Sequence, residues 1–353
     1  MEINSVFTVV NVIKIFSVAT LSFFLALFFT PLWVKILKKY FVRGKEIVKE
    51  NAPIFSSLHK KKEGTPTMGG VIIWFTVALI TFLFYYLSKK IQGLSQINFL
   101  SRSQTLLPLG AMLVSAGFGL VDDLFGVFKR GGMKMRYRLI LYTLVAIGGA
   151  WWFYYKLDWN FINIPFLGDF TVGLWYIPIF IFIIFATAFS ANETDGLDGL
   201  SGGVFLTSFA ALGAVAFVQQ RIDLVIFISA IIGALVAFLW HNIYPARFFM
   251  GDTGVMALGV TLGIIAMLTN TALLLPVIGI IYVIESGSVI LQILSKKIRK
   301  KKIFLSSPIH HHFEAKGWHE TRVTMRFWMI SAIGAVIGLI IFLVDSKLPP
   351  FFR

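Results

Sequence analysis

Ten apolar runs, each long enough to cross a bilayer, constrain this chain more than any other feature. They fall at roughly 6–37, 68–87, 105–121, 137–156, 174–191, 199–218, 222–241, 253–269, 272–294 and 326–345. A membrane span takes about 17–25 predominantly apolar residues. Inside lipid the backbone must satisfy its own hydrogen bonds, which leaves helices or a closed barrel. The expectation is an all-α integral membrane protein, one polytopic domain over residues 1–353. A hydrophobic content of 57% with 14% charged residues excludes an ordinary soluble enzyme. The first run is too long for a cleavable signal, and Lys35, Lys38 and Lys39 follow it, so it reads as a start-transfer anchor. The ninth run contains Glu285, Ser286 and Gly287 and is expected to bend or break there, around a polar cavity.

The net charge of +15 invites a nucleic-acid reading, but the cations are placed for something else. Of the 32 Lys and Arg residues, 24 lie in alternate loops: 35–67, 122–138, the loop of Arg247, and 295–326. Cytoplasmic loops carry this excess. Both termini are therefore expected outside, with cytoplasmic loops at about 38–67, 122–136, 192–198, 242–252 and 295–325, and no nucleic-acid partner. The absence of cysteine excludes disulfides and thiolate metal sites.

Five aspartates fall on this cytoplasmic side: Asp122, Asp123, Asp195, Asp198 and Asp252. Carboxylates near a bilayer are costly and point to function. Asp122-Asp123 closes the third run, at a helix C-terminus that the macrodipole makes unfavourable for anions. One can bind a cation while the other accepts a proton. Asn192-Glu193-Thr194-Asp195-Gly196-Leu197-Asp198-Gly199-Leu200 is an acidic, glycine-rich hinge; Asp195 reads as functional, and Asp198 equally as a cap for the next helix. Asn242 to Gly254 offers an amide, the ring of Phe249 and the carboxylate of Asp252, with capping as a second role for Asp252. Together these describe a nucleotide-and-metal site. With no P-loop lysine, the pattern suggests Mg2+ held by aspartates, with phosphates supplied by the substrate.

Two further stretches belong to the same side. Ser306 to Glu314 contains His310, His311 and His312, which are too crowded for a zinc site but able to position phosphates. Lys60 to Gly70 ends the first cytoplasmic loop; its Thr65-Pro66-Thr67 turn can present hydroxyls and Lys62 to a substrate. Lys296 to Lys302 reads as topogenic.

Gly64 to Gly70, Asp122-Asp123, Thr194 to Leu200, Phe249 to Gly254 and Pro308 to Glu314 follow one another in the order of a known family. Over nearly its whole length the chain resembles the bacterial phospho-N-acetylmuramoyl-pentapeptide transferases, within the polyprenyl-phosphate sugar-1-phosphate transferase superfamily. The resemblance implies a ten-helix inner-membrane homodimer that transfers phospho-MurNAc-pentapeptide from UDP-MurNAc-pentapeptide to undecaprenyl phosphate, giving lipid I and UMP. It implies Mg2+ ligation by Asp252 with Asp123, and engagement or deprotonation of the lipid phosphate by Asp122 or Asp123. It implies substrate contacts from Lys62, Thr67, Asn192, Asp195, Asp198, Asn242, Phe249 (stacked on uracil), Gln292, His310 and His312, and a catalytic positioning role for His311. Three positions depart from the family pattern: Glu193 for Leu, Gly126 for Lys and Arg138 for Lys. Loss of the Gly126 cation is expected to shift phosphate contacts to Lys129, Arg130 or Lys134.

Two other readings are open. The same chemistry on an N-acetylhexosamine nucleotide is one, although the triple histidine stands where that branch is arginine-rich. The other is a lipid flippase or ion-coupled transporter. Relay carboxylates belong near mid-bilayer, and transporters often show inverted repeats; here the aspartates lie at one face and no repeat is evident. Glu285 is the best relay candidate and reads as an interior contact supporting the bend.

Overall fold

The computed structural model describes residues 2–41, 62, 64–91, 97–128 and 132–347, with side chains from residue 9 onward. Lys60, Lys61, Lys129 and Arg130 lie outside the described residues. The helices are α1 Glu2–Tyr40, α2 Val71–Lys90, α3 Leu106–Phe128, α4 Met135–Lys156, α5 Tyr176–Thr194, α6 Leu200–Val218, α7 Ile222–Asn242, α8 Gly251–Leu268, α9 Leu275–Ile278, α10 Ile280–Ile298, α11 Ile309–Ala315 and α12 Glu320–Lys347. Eight of them are long and apolar enough to cross a membrane. Outside that set fall α4, with Arg136, Arg138 and Lys156, and α10, with Glu285, Lys296 and Lys297.

Burial ranks the helices. In α8, 89% of the most apolar window is buried inside the molecule, against 78% in α7 and 17% in α1, so α8 is the axis and α1 lies at the rim. Around α8 pack α3 and α5; α6 joins α7 and α12, while α1 and α2 close over α7. Without a hydrophobic force between helices in lipid, close contact depends on small residues. A Cβ on Gly119 would strike the Asp252 backbone, and one on Gly70 the backbone of Gly254. These two glycines let α3 and the start of α2 touch the first turn of α8.

The structure corrects several expectations. Helix α3 does not end at Asp122-Asp123: Leu124, Phe125, Val127 and Phe128 prolong its apolar face, so the pair sits more than a turn inside the helix. The ninth run breaks at Gly279 instead of at Glu285–Gly287, and α10 runs straight through Glu285. The all-α expectation holds apart from one short element. Strands β1 Phe161–Ile164 and β2 Gly168–Thr171 form an antiparallel hairpin, Phe161 facing Thr171, between α4 and α5.

Candidate active site

The first turn of α8 organises the acidic residues. Gly119 brings α3 against it, and the Thr253 hydroxyl donates to the Ala116 carbonyl at 2.9 Å. One turn beyond Gly119 on α3, Asp123 accepts the Thr253 backbone N–H at 3.0 Å and the Thr67 hydroxyl at 3.1 Å. Thr67 arrives through a short backbone ladder: Phe249 N–H donates to Pro66 O (2.9 Å), Gly69 N–H to Phe249 O (2.8 Å) and Gly70 N–H to Met250 O (2.8 Å). The Thr65-Pro66-Thr67-Met68-Gly69-Gly70 stretch is thus the pairing partner of residues 249–250. Its glycines are there because Phe248 and Gly254 leave no room for a side chain.

Asp122, on the neighbouring face of α3, turns to α4. Its Oδ2 lies 2.5 Å from Arg138 Nε, and its Oδ1 accepts the Met133 N–H. The same guanidinium reaches Asp252, Nη2 to Oδ2 at 2.9 Å, and Asn192 Nδ2 donates to the other Asp252 oxygen at 2.9 Å. Four helices, α3, α4, α5 and α8, therefore converge through one chain of charge-assisted bonds. The neighbouring Glu193, on the last turn of α5, has its charge within reach of Tyr142.

The hinge between α5 and α6 forms the next wall. It is not helical: Asp195 ends α5 with φ −84° and ψ 66°, and Gly199 starts α6 at φ 75°, a conformation glycine adopts at no steric cost. Burial, then the nearby Asp252 charge, raise the Asp195 carboxyl to about 7, opposed by hydrogen bonding from the Gly251 backbone. Asp198 is no cap, because the turn leads its carboxylate away from α6. It pairs with Lys62 Nζ at 2.7 Å and accepts the Ala246 N–H at 3.0 Å. Lys62 also pairs with Glu320, which accepts the Asp198 N–H at 2.6 Å. Nor does Asp252 cap α8; its two oxygens are taken by Arg138 and Asn192. Asn242 is buried and fixes this wall, accepting from Gly199 N–H (3.0 Å) and donating to Phe248 O (2.8 Å). Phe248 is enclosed, whereas the Phe249 ring is half-buried with Lys62 Nζ 5.8 Å from its centre.

The histidines divide. His310 is enclosed, its ring against Gly196 of the hinge and its Nδ1 3.0 Å from Glu285. Glu285 thus faces the start of α11 from within α10, which continues through it, and supports no bend. His311 Nδ1 lies 2.7 Å from Glu314. Burial, then the adjacent His310, push its imidazole down to about 4, so it is neutral at ordinary pH. His312 and Gln292 are not brought into hydrogen-bond contact with the carboxylates. His312 accepts the Leu305 N–H, and Gln292 clamps the Ile303–Phe304 backbone from both ends of its amide. Sequence reasoning undervalued Arg138, seen only as a family departure, and passed over Glu320. The available signal for Glu320 was an acidic residue opening the last apolar run on the most basic side of the chain.

Among the described residues, no three His, Asp or Glu side chains converge as a closed metal site. The donors are hard carboxylate and hydroxyl oxygens. Gly251, at φ 74°, keeps the backbone bare where a Cβ would meet Asp123 Oδ2 and Thr67 Oγ1 at 2.6 Å. Such a set suits magnesium, which takes one or two carboxylates and completes its shell with water and substrate phosphates.

Carboxylates, an arginine and a lysine thus gather in a multi-helix membrane body, an arrangement suited to a phosphate-bearing substrate. Residues 105–270 match the profile of Glycosyl transferase family 4, and residues 62–73 match the phospho-N-acetylmuramoyl-pentapeptide-transferase signature 1. Curated relatives named phospho-N-acetylmuramoyl-pentapeptide-transferase align along most of both chains. The protein from Chloroflexus aggregans is 36% identical, covering 92% of this chain and 89% of its own. That from Clostridium kluyveri is 37% identical over 91% and 96%, and that from Listeria monocytogenes 35% over 92% and 96%. The chain belongs to the phospho-N-acetylmuramoyl-pentapeptide-transferase family. It is a multi-pass protein of the bacterial inner membrane.

Proposed function

We propose that this protein transfers phospho-MurNAc-pentapeptide from its UDP carrier to undecaprenyl phosphate, releasing UMP and forming lipid I for peptidoglycan synthesis. The observation that carries the reading is the Asp122–Arg138–Asp252–Asn192 chain beside Asp123. It is a largely buried acidic cluster at the same end of the molecule as the half-open Phe249 ring.

In this reading the site faces the cytoplasm, both termini face the periplasm, and ten helices cross the membrane. The distribution of 24 of the 32 Lys and Arg residues supports that orientation. Asp252 and Asp123 would hold Mg2+, which supplies charge neutralisation on the pyrophosphate when bound. Asp122, or Asp123, accepts the proton of the lipid phosphate, and Arg138 holds Asp122 in place for that transfer. The phosphate oxygen then attacks the sugar-linked phosphorus, and UMP leaves. Phe249 stacks on the base while Lys62 neutralises charge above it. Asp195 hydrogen-bonds the nucleoside. His310 and His311, fixed by Glu285 and Glu314, line the sugar-phosphate side. Assembly as a homodimer is part of the same reading.

The test is UMP release by purified protein with Mg2+, UDP-MurNAc-pentapeptide and undecaprenyl phosphate. Asp252→Ala should abolish release while the protein keeps its helical spectrum. Turnover only with UDP-N-acetylglucosamine would move the assignment to the hexosamine branch.

A further inference from the structure

The first turns of α12 carry a polar stripe at the start of an otherwise apolar span. Glu320, Thr324 and Trp328 stand four residues apart and so share one face of the helix. That face turns inward: Glu320 and Thr324 are buried, whereas Arg322, Met325 and Arg326 are exposed. Each member of the stripe bonds the hinge between α5 and α6. The Glu320 carboxylate accepts the Asp198 N–H at 2.6 Å, and the Thr324 hydroxyl donates to the Asp198 carbonyl at 3.2 Å. The Trp328 indole N–H donates to the Gly199 carbonyl at 3.1 Å.

Buried peptide groups need partners. At Asp198 and Gly199, α12 serves one N–H and both carbonyls, and Asn242 takes the remaining N–H. The fit is close, because a Cβ on Gly203 would overlap the Trp328 indole and one on Gly199 would touch it at 3.4 Å. Backbone support alone would be packing, but Glu320 does more. The oxygen that accepts the Asp198 N–H also pairs with Lys62 Nζ, whose other partner is Asp198 Oδ1 at 2.7 Å. An ammonium is a point charge on a flexible stem, so two carboxylates on different elements decide where it stands. It stands 5.8 Å from the centre of the Phe249 ring. The last long helix thus sets both a carboxylate and a cation beside that ring.

We infer that Glu320, Thr324 and Trp328 are positioning residues for the donor nucleotide: the α12 stripe fixes the Asp198 turn and, through Glu320, holds Lys62 beside Phe249. The inference rests on the transferase reading above, with Phe249 against the base, and adds to it three residues that act through others. Glu320 acts through Lys62. Thr324 and Trp328 act through the backbone of the hinge.

The experiment measures UMP release by the full chain in lipid nanodiscs. The unmodified protein and Phe249→Ala come first: no release, or an unchanged KM for UDP-MurNAc-pentapeptide in Phe249→Ala, overturns the nucleotide wall and the inference with it. Glu320→Gln keeps the size and an oxygen for the Asp198 N–H but removes the anion from Lys62. It should raise the KM for the UDP-sugar at least about fivefold, with kcat and the KM for undecaprenyl phosphate within about twofold. Thr324→Val and Trp328→Phe should each raise the same KM about threefold, the order of one net hydrogen bond. In a Lys62→Met background Glu320→Gln should have no further effect on that KM, while Thr324→Val keeps its own. Glu320→Asp, which retains the charge, should recover part of the loss. A raised UDP-sugar KM in Phe249→Ala beside an unchanged one in Glu320→Gln overturns the inference alone. It is equally overturned by an unchanged KM in both Thr324→Val and Trp328→Phe, by effects of Glu320→Gln and Lys62→Met that multiply in full, or by variants in which kcat and both KM values worsen alike.

Discussion

At the scale of single residues, Arg138 is the position where charge balance is decided. Its guanidinium serves two carboxylates on different helices with different nitrogens, a geometry suited to a planar fork. Arg138→Ala leaves Asp122 buried and uncompensated. Breaking such a pair costs about 3–5 kcal/mol, so both the thermal midpoint and UMP release should fall sharply. Arg138→Lys, which puts back the residue of the family pattern, should recover most of both the fold and the rate. His311 makes the opposite kind of prediction. With its folded value near 4 and an ordinary value of 6.5, the unfolded chain binds the proton more readily between those limits. Its contribution to stability is therefore full above pH 6.5 and is lost as pH falls toward 4. The midpoint should drop across that window, less steeply in His311→Gln, and the imidazole should remain neutral by nitrogen NMR at pH 6. The five aspartates could be read from the sequence because each is an anion beside an apolar run. Their partners could not: Arg138 is 114 residues from Asp252, and no local pattern encodes that distance.

At the scale of elements, backbone contact explains what the side chains do. The ladder between residues 66–70 and 249–250 works only because Gly70 lies against Gly254. Gly70→Ala should separate α2 from the first turn of α8, releasing Thr67 from Asp123, and should lower stability and turnover together. Gly287, on α10, has open space around it. Gly287→Ala should be neutral or stabilising by up to about 1 kcal/mol, the ordinary helix preference of alanine; thermal unfolding of the two variants side by side checks the contrast. The glycines of the hinge and of the Gly69-Gly70 pair were visible as unusual punctuation in the sequence. The continuation of α3 beyond Asp123 was obscured because a carboxylate pair resembles an ending, while the packing of Asp123 on Thr253 removes the reason to end. Gly279 breaks the ninth run, while Glu285 stays within α10 and meets His310 of α11.

At the scale of the whole molecule, the apolar runs and the cation count carried most of the architecture. Hydropathy has few solutions in lipid, so the helices lie close to where the sequence placed them. The β1–β2 hairpin escaped because strands of four residues leave almost no periodic signal. The proposed orientation can be checked directly, since the chain has no cysteine of its own. In intact inner-membrane vesicles of right-side-out orientation, a membrane-impermeant maleimide should label Thr171→Cys, on the hairpin, and leave Ser306→Cys unlabelled until the membrane is permeabilised. The reverse pattern would turn the molecule over. One contact also sets the timing of the site's completion. Lys62 meets Glu320 across 258 residues of chain, and Glu320 opens the last long helix. A ribosome must pass residue 320 before the first loop can find this partner, and the final helix must enter the membrane before the site's wall is closed. Translation that stops before residue 320 leaves helices already inserted but their acidic hinge unclamped, so the wall of the site waits on a segment made 258 residues after Lys62.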